Sequence, residues 1–72
     1  MTKEEAKKIL EAYREADEDT GDTWGLKVLK YLGVSNDGHV FEAVADDIDV
    51  KDYEITPQYV VCKDKTVLAL PL

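Results

Sequence analysis

Residues 24–44, WGLKVLKYLGVSNDGHVFEAV, decide the fold of this 72-residue chain. The segment contains two apolar runs separated by Ser35-Asn36-Asp37-Gly38. A glycine after Asn-Asp suits a type I turn that is closed by a left-handed glycine bulge. The run at 39–44 would then return beside the first run, so the segment predicts a β-hairpin.

The first apolar run, residues 24–34, also fits a helix. In that alternative Gly33 would be the C-cap, and one helical face would carry Val28, Leu29 and Leu32. We favour the strand because the turn that follows is specific. Side chains that suit a sheet also occur along the run, at Val28, Tyr31 and Val34.

The residues before the hairpin predict an amphipathic helix. Thr2 and Glu5 have the spacing of a capping box, in which each side chain accepts a backbone N–H that the helix leaves unpaired. An apolar stripe at helical spacing follows, formed by Ala6, Ile9, Leu10, Tyr13 and Ala16.

The helix is expected to end near Asp17, with Gly21 available for a left-handed turn. Asp17, Glu18 and Asp19 would then lie at the negative end of the helix dipole, where each acid costs roughly 0.3–1 kcal/mol. Departures of this kind from a local rule concentrate at functional sites. The segment is therefore a candidate site.

The residues after the hairpin predict an acidic connection and a second hairpin. Residues 45–55, ADDIDVKDYEI, form the connection, in which we expect a short helical turn. Pro57 leads into a β-prone run at 58–62, and a polar turn at 63–65 precedes a last strand at 66–70. The whole chain is thus predicted to be one α+β domain, with an N-terminal amphipathic helix packed on a small antiparallel sheet of two β-hairpins.

The composition limits the class of protein. With 16 acidic and 9 basic residues the net charge is −7, so we expect no direct binding to nucleic acid or to anionic membranes, whose phosphates would be repelled. No apolar stretch is long enough to span a membrane, and residues 1–8 lack the apolar region of a secretory signal. A single cysteine, Cys62, excludes an internal disulfide and fits a reducing compartment. We therefore predict a cytoplasmic protein.

The negative charge is concentrated in two segments. Residues 17–22 carry four acids and no base, and residues 37–54 carry seven acids and one base. The rest of the chain has a net charge of +3. Like charges that are concentrated in this way repel one another in the folded state. The pattern is typical either of a solubilising surface or of a docking surface for a basic protein.

Residue patterns for catalysis and metal binding are incomplete. In an EF-hand that began at Asp47, position six would be Asp52 instead of glycine and position twelve would be Gln58 instead of glutamate. One histidine and one cysteine do not supply the four ligands of a structural zinc site. His39 and Cys62 would form a nucleophile–base pair only if their side chains faced each other. We predict a binding protein without cofactor or metal, not an enzyme.

The order of these segments resembles the YrhB-like family of bacterial toxin-immunity domains. The resemblance rests on Glu5-Ala6-Lys7-Lys8-Ile9-Leu10, on Gly38-His39-Val40-Phe41, and on the closing segments Pro57-Gln58-Tyr59-Val60-Val61-Cys62-Lys63-Asp64 and Thr66-Val67-Leu68-Ala69-Leu70-Pro71. The family tends to have tryptophan where this chain has His39, and glycine where it has Lys65. Membership would imply binding and neutralising a cognate toxin, without catalytic residues.

We therefore predict a small acidic cytoplasmic inhibitor of the immunity type, a monomer or weak dimer, that covers a basic surface of a toxin or nuclease. Acids would form the rim of the contact and Trp24 or Tyr53 its anchor. The predicted partner-binding residues are Asp17, Glu18, Asp19, Asp22, Trp24, Asp46, Asp47, Asp49, Asp52, Tyr53 and Glu54. One alternative is a phage-encoded anti-defence protein whose carboxylates mimic nucleic-acid phosphates. Another is an oligomerisation module that pairs through the strand at 66–70.

Overall fold

A computed structural model describes residues 1–47, 51 and 55–70. In this part of the chain one helix and five strands follow one another: α1 (Lys3–Ala12), β1 (Arg14–Ala16), β2 (Thr23–Val34), β3 (Gly38–Ala45), β4 (Gln58–Cys62) and β5 (Val67–Ala69). The strands form one sheet in the order β1-β2-β3-β4-β5, with every neighbouring pair antiparallel. The predicted α+β class, a helix packed on an antiparallel sheet, is confirmed. Strand β1 was not predicted.

Helix α1 begins where the sequence places it. The hydroxyl of Thr2 accepts the backbone N–H of Glu5 at 3.2 Å, which confirms the threonine half of the predicted cap. The apolar stripe faces the sheet, with Ala6 and Leu10 fully buried and Ile9 and Tyr13 partly buried against the same core.

The helix ends at Ala12, so the predicted end near Asp17 is wrong. Tyr13 is already extended, with φ −68° and ψ 140°. Residues Arg14–Ala16 satisfy their backbone groups as β1, paired with 23–25 of β2, instead of continuing the helix. The acids at 17–19 therefore lie in the β1–β2 turn, and the expected conflict with the helix dipole does not occur.

The β2–β3 hairpin is confirmed, and its irregularity explains why 24–34 also fitted a helix. The register shifts between Val28 and Lys30, and again between Tyr31 and Gly33. Each shift inserts one extra residue in β2, as a β-bulge does. The extra residues are Leu29 and Leu32, which the helical alternative placed on one face with Val28, so their three-residue spacing comes from the two bulges and imitates a helical period.

The glycine of the β2–β3 turn has a different role from the predicted one. Ser35 donates its N–H to the carbonyl oxygen of Gly38 at 2.8 Å, so the turn closes between the predicted residues. Gly38 has φ +158°, however, not the left-handed value of a glycine bulge. A side chain here would meet the carbonyl oxygen of Val61 in β4. Glycine is needed because β3 and β4 approach closely at this point.

The core lies between α1 and one face of the sheet. Its buried members are Ala6, Leu10, Leu26, Phe41, Ala43, Tyr59 and Val61. These side chains come from α1 and from three adjacent strands, so burying the stripe of α1 fixes the helix across the middle of the sheet. Val44 and Val60, which alternate with core residues on β3 and β4, are also buried on the opposite face.

The second hairpin is confirmed as well. Cys62 donates its N–H to Thr66 and accepts that of Lys65, at 2.8 and 2.9 Å. Lys65 has φ +72°, the left-handed conformation that usually selects glycine. This is the position at which the YrhB-like pattern has glycine.

Candidate interaction surface

Residues 17–22 and two described acids of the second segment, Asp46 and Asp47, lie at the same end of the sheet, whereas Asp37 of that segment lies in the β2–β3 turn at the other end. Residues 17–22 lead directly into β2, and Asp46 directly follows β3, which runs antiparallel to β2. The N–H of Asp46 donates to the carbonyl oxygen of Gly25 at 3.1 Å. Gly25 is three residues after Asp22, the last residue of the first acidic segment, which is about 10 Å along a strand. We name residues 17–22, 46 and 47 the acidic end.

One carboxylate of the first segment holds the turn. The Oδ1 atom of Asp17 accepts the backbone N–H of Asp19 at 2.8 Å and that of Thr20 at 3.3 Å. The backbone of Asp17 also bonds Asp22 and Gly21, at 2.8 and 2.9 Å. These four bonds account for the shape of the turn, so Asp17 has a structural role as well as a charge.

The other acids of this turn are displayed to solvent. Glu18, Asp19 and Asp22 are exposed, and none forms an ion pair within residues 1–47, 51 and 55–70. Their mutual repulsion is therefore not relieved by a base in the described structure.

Asp46 is partly neutralised, unlike the acids of the turn. Its Oδ2 atom lies 3.8 Å from Nη1 of Arg14, with both side chains about half exposed or more. An exposed pair of this kind stabilises the fold by about 0–1 kcal/mol. The two side chains meet above Gly25, where an added Cβ would lie 2.7 Å from the guanidinium and 2.9 Å from the carboxylate. Asp47, the next residue, is exposed.

Trp24 lies beside the acids and is half-buried. It pairs with Glu15 across β1 and β2, one residue from Gly25. Its side chain leaves the face of the sheet opposite to the Arg14–Asp46 pair, because Trp24 and Gly25 are adjacent in β2. The remaining predicted partner-binding residues, Asp49, Asp52, Tyr53 and Glu54, lie outside the described residues, as does most of the expected helical turn in the 45–55 connection.

The opposite end of the sheet is less acidic. It carries the turns at 35–38 and 62–66, because β3 begins where β4 ends. The one aspartate of the second turn, Asp64, accepts the hydroxyl of Thr66 at 2.6 Å and its N–H at 3.1 Å. These hydrogen bonds, the hydroxyl first, lower the pKa of Asp64 below its ordinary 3.8. Lys63 and Lys65 flank it.

His39 and Cys62 do not form a nucleophile–base pair. In the β3–β4 register Cys62 lies opposite Gly38, and His39 lies opposite Val61, so their side chains leave opposite faces of the sheet. The ring of His39 is also engaged elsewhere: Nδ1 bonds the hydroxyl of Tyr31 at 2.9 Å and Nε2 the carbonyl of Met1 at 3.0 Å. Sequence reasoning did not anticipate this tie to the N-terminus.

Two concave surfaces were also missed by sequence reasoning. One, of about 390 Å³, lies beside His39 and is lined by Met1, Val34, Gly38, His39, Val61 and Lys63. The other, of about 180 Å³, lies between α1 and β2 and is lined by Lys3, Lys7, Val28, Leu29, Lys30, Tyr31 and Phe41. The sequence carries a signal for the second concave surface, because α1 and β2 each place lysines beside apolar residues.

The described part of the chain brings together no three acidic, histidine or cysteine side chains in a geometry that would hold a metal ion. Within the same residues, α1 is too short and too polar to cross a membrane. Comparison with family models, with curated proteins and with solved structures finds no match, so the resemblance to the YrhB-like family stays a prediction.

Proposed function

We propose that this chain is a cytoplasmic inhibitor of the immunity type, which docks its acidic end onto a basic surface of a toxin or nuclease. The observation that carries the proposal is the convergence of residues 17–22 with Asp46 and Asp47, which are distant in sequence, at one end of the sheet. Solubilising charge works equally well when it is spread over a surface. Convergence raises the local potential, which steers a basic partner toward this end.

The charge balance within the acidic end supports an electrostatic rim. Arg14 offsets Asp46, whereas Glu18, Asp19 and Asp22 keep exposed carboxylates on a turn that Asp17 holds by hydrogen bonds. A fixed turn presents these charges without a large loss of backbone entropy on binding.

Trp24 supplies the apolar part of the contact in this proposal. Tryptophan is enriched among the residues that dominate binding energy, and such residues lie near a rim that excludes water. Its position beside the acids, half-buried and partnered with Glu15, makes it the anchor among the described residues.

The test is capture of partners from the native host on the immobilised protein, followed by kinetics with the purified partner. The variant Glu18→Lys/Asp19→Lys/Asp22→Lys should slow association at least tenfold. Capture should weaken sharply as the Debye length falls from about 10 Å at 0.1 M salt to about 3 Å at 1 M. Trp24→Ala should mainly accelerate dissociation.

A matched control carries the same change of charge elsewhere. The variant Glu4→Lys/Glu5→Lys/Asp37→Lys alters three exposed acids away from the acidic end, because α1 begins beside His39 at the opposite end of the sheet. It should change the association rate less than threefold. Equal effects of the two triple variants, or a partner retained unchanged at 1 M salt, would contradict docking through the acidic end.

A further inference from the structure

Strand β2 has an open edge along most of its length. On the side away from β3, β1 pairs only with residues 23–25. Among the described residues no strand pairs with 26–34 on that side. An open edge of this length is a template for another extended segment.

The hydrogen bonds of β3 identify which peptide groups face outward. Ala43 donates its N–H to Pro57, on the β4 side, so its pair with Val28 is not hydrogen-bonded. The N–H and C=O of Val28 therefore point away from β3. Ser35 and Gly38 form a hydrogen-bonded pair, so the N–H and C=O of Val34, one residue before Ser35, also point away from β3.

Because of the two bulges, the N–H and C=O groups of β2 that point outward are spaced as in a regular strand. Val28, Tyr31 and Val34 are three residues apart, yet they pair with Ala43, Phe41 and His39, which are two residues apart. The outward groups of β2 thus follow the spacing of an unbulged strand. A regular extended segment matches them in register.

A basic groove runs beside this edge. It has a volume of about 180 Å³, and its lining includes three lysines, Lys3 and Lys7 from α1 and Lys30 from β2, and no acid. The Nζ atom of Lys3 lies 5.1 Å from the ring centroid of Tyr31, a cation–π contact. The hydroxyl of Tyr31 is in turn held by His39 at 2.9 Å. Three of the nine basic residues of a chain with net charge −7 thus line one small groove.

Exposed apolar side chains lie along the same strand. Leu29 and Leu32, the extra residues of the two bulges, are 36% and 39% exposed, and Val34 is 70% exposed. The edge therefore offers peptide groups, cationic side chains and apolar contacts together. These are the elements of recognition by strand addition, in which the backbone supplies affinity and the side chains supply specificity.

We propose that an extended acidic segment of a partner protein adds as a strand to the open edge of β2, with its carboxylates on Lys3 and Lys7. A second copy of the chain suits this edge less well. An antiparallel β2–β2 pair centred on Val28 would bring Lys27 of each copy opposite Lys30 of the other, and like charges on facing strands are destabilising. This surface is separate from the acidic end and has the opposite charge preference.

The probe is an acetylated, amidated heptapeptide of alternating glutamate and valine, titrated into ¹⁵N-labelled protein. We expect the amide signals of Val28 and Val34 to move. The variant Lys7→Glu should weaken binding at least tenfold, and Lys8→Glu, an exposed lysine of α1 outside the groove, less than twofold. Of two peptides N-methylated on either the glutamates or the valines, one should lose binding at least tenfold and the other should retain it.

Several results would overturn the proposal. Equal binding by both methylated peptides would show that charge alone holds the peptide. Equal losses in the Lys7→Glu and Lys8→Glu variants, or equal binding of a lysine–valine heptapeptide, would remove the groove as the recognition element. Movement of the Val28 and Val34 signals with protein concentration alone would assign the edge to a second copy.

Discussion

The turns at 17–22 and 62–66 solve the same structural problem with different amounts of charge. Each joins two antiparallel strands, and in each a single aspartate accepts hydrogen bonds from the turn. Asp17 accepts the N–H groups of Asp19 and Thr20, and Asp64 accepts the N–H and hydroxyl of Thr66. One carboxylate is therefore enough to hold a turn of this kind.

The difference lies in the residues around that aspartate. Asp64 is flanked by Lys63 and Lys65, whereas Asp17 is followed by further acids without a base, Glu18, Asp19 and Asp22. The carboxylate of Asp17 holds the turn by hydrogen bonds, whereas the neighbouring carboxylates are surplus to the fold. The comparison teaches that structural and surplus acids occur side by side, and it allows stability and binding to be tested separately.

The largest expected effect comes from comparing the packing around one glycine at each end of the sheet. Gly38→Ala should destabilise the protein by about 3 kcal/mol, because the added Cβ would meet the backbone of Val61. Gly21→Ala, in the acidic turn, has no atom within 4 Å of the added Cβ and should cost only about 1 kcal/mol for its φ of +76°. Urea unfolding measures both. Equal losses would contradict the difference in packing.

Next in size is the separation of Asp17 from its acidic neighbours. Asp17→Ala should lower the free energy of unfolding by about 1 kcal/mol, because two backbone N–H groups lose their acceptor. Glu18→Ala, at an exposed position, should leave it unchanged or slightly raised, since a repulsive charge is removed. A Glu18→Ala variant as unstable as Asp17→Ala would show that the surplus acids also serve the fold.

A smaller effect is expected at the left-handed residue of the opposite turn. Lys65 has φ +72°, so Lys65→Gly should stabilise the protein by about 0.5–1 kcal/mol by removing the Cβ strain. Thermal unfolding gives the difference, and Lys63→Gly in the same turn, where φ is not positive, is the matched control. Loss of stability in Lys65→Gly would indicate that the lysine side chain has a role that its geometry does not reveal.

The smallest effect concerns the pH dependence of Asp64. Its pKa is lowered in the folded protein, so its stabilising contribution is complete above the ordinary pKa of 3.8 and is lost as the pH falls through the folded value. Thr66→Val removes the hydroxyl donor, which is the first cause of the shift, and should raise the pKa of Asp64 toward 3.8. A carboxyl-carbon NMR titration reads this directly. An unchanged midpoint would exclude the Thr66 hydroxyl as the cause.

The sequence predicted the elements whose signals are local, and missed those that depend on pairing. The Thr2 cap, the 35–38 turn and the 63–65 turn each have a specific residue pattern, and all three occur. Strand β1 has only three residues, too few for a period, and its formation depends on 23–25. The acids at the supposed helix end were the available signal, because a helix that ends earlier removes the conflict with its dipole.

The candidate site was predictable as residues but not as a surface. Charge clustering identified the segments 17–22 and 37–54, yet the convergence of 17–22 with Asp46 and Asp47 follows from the β2–β3 register and from the bond between Asp46 and Gly25. The groove beside β2 depends on the same register. Its bulges insert Leu29 and Leu32, two of the residues on which the alternative of a helix rested, so the same feature also shapes the edge.

The central claim is that the surplus acids of the 17–22 turn serve binding and not folding. Glu18→Gln/Asp19→Asn/Asp22→Asn keeps the size of all three side chains and removes only their charge. We expect an unchanged or slightly higher free energy of unfolding, together with an association rate to the captured partner that is at least tenfold slower and less sensitive to salt. A loss of stability with an unchanged association rate would contradict the account.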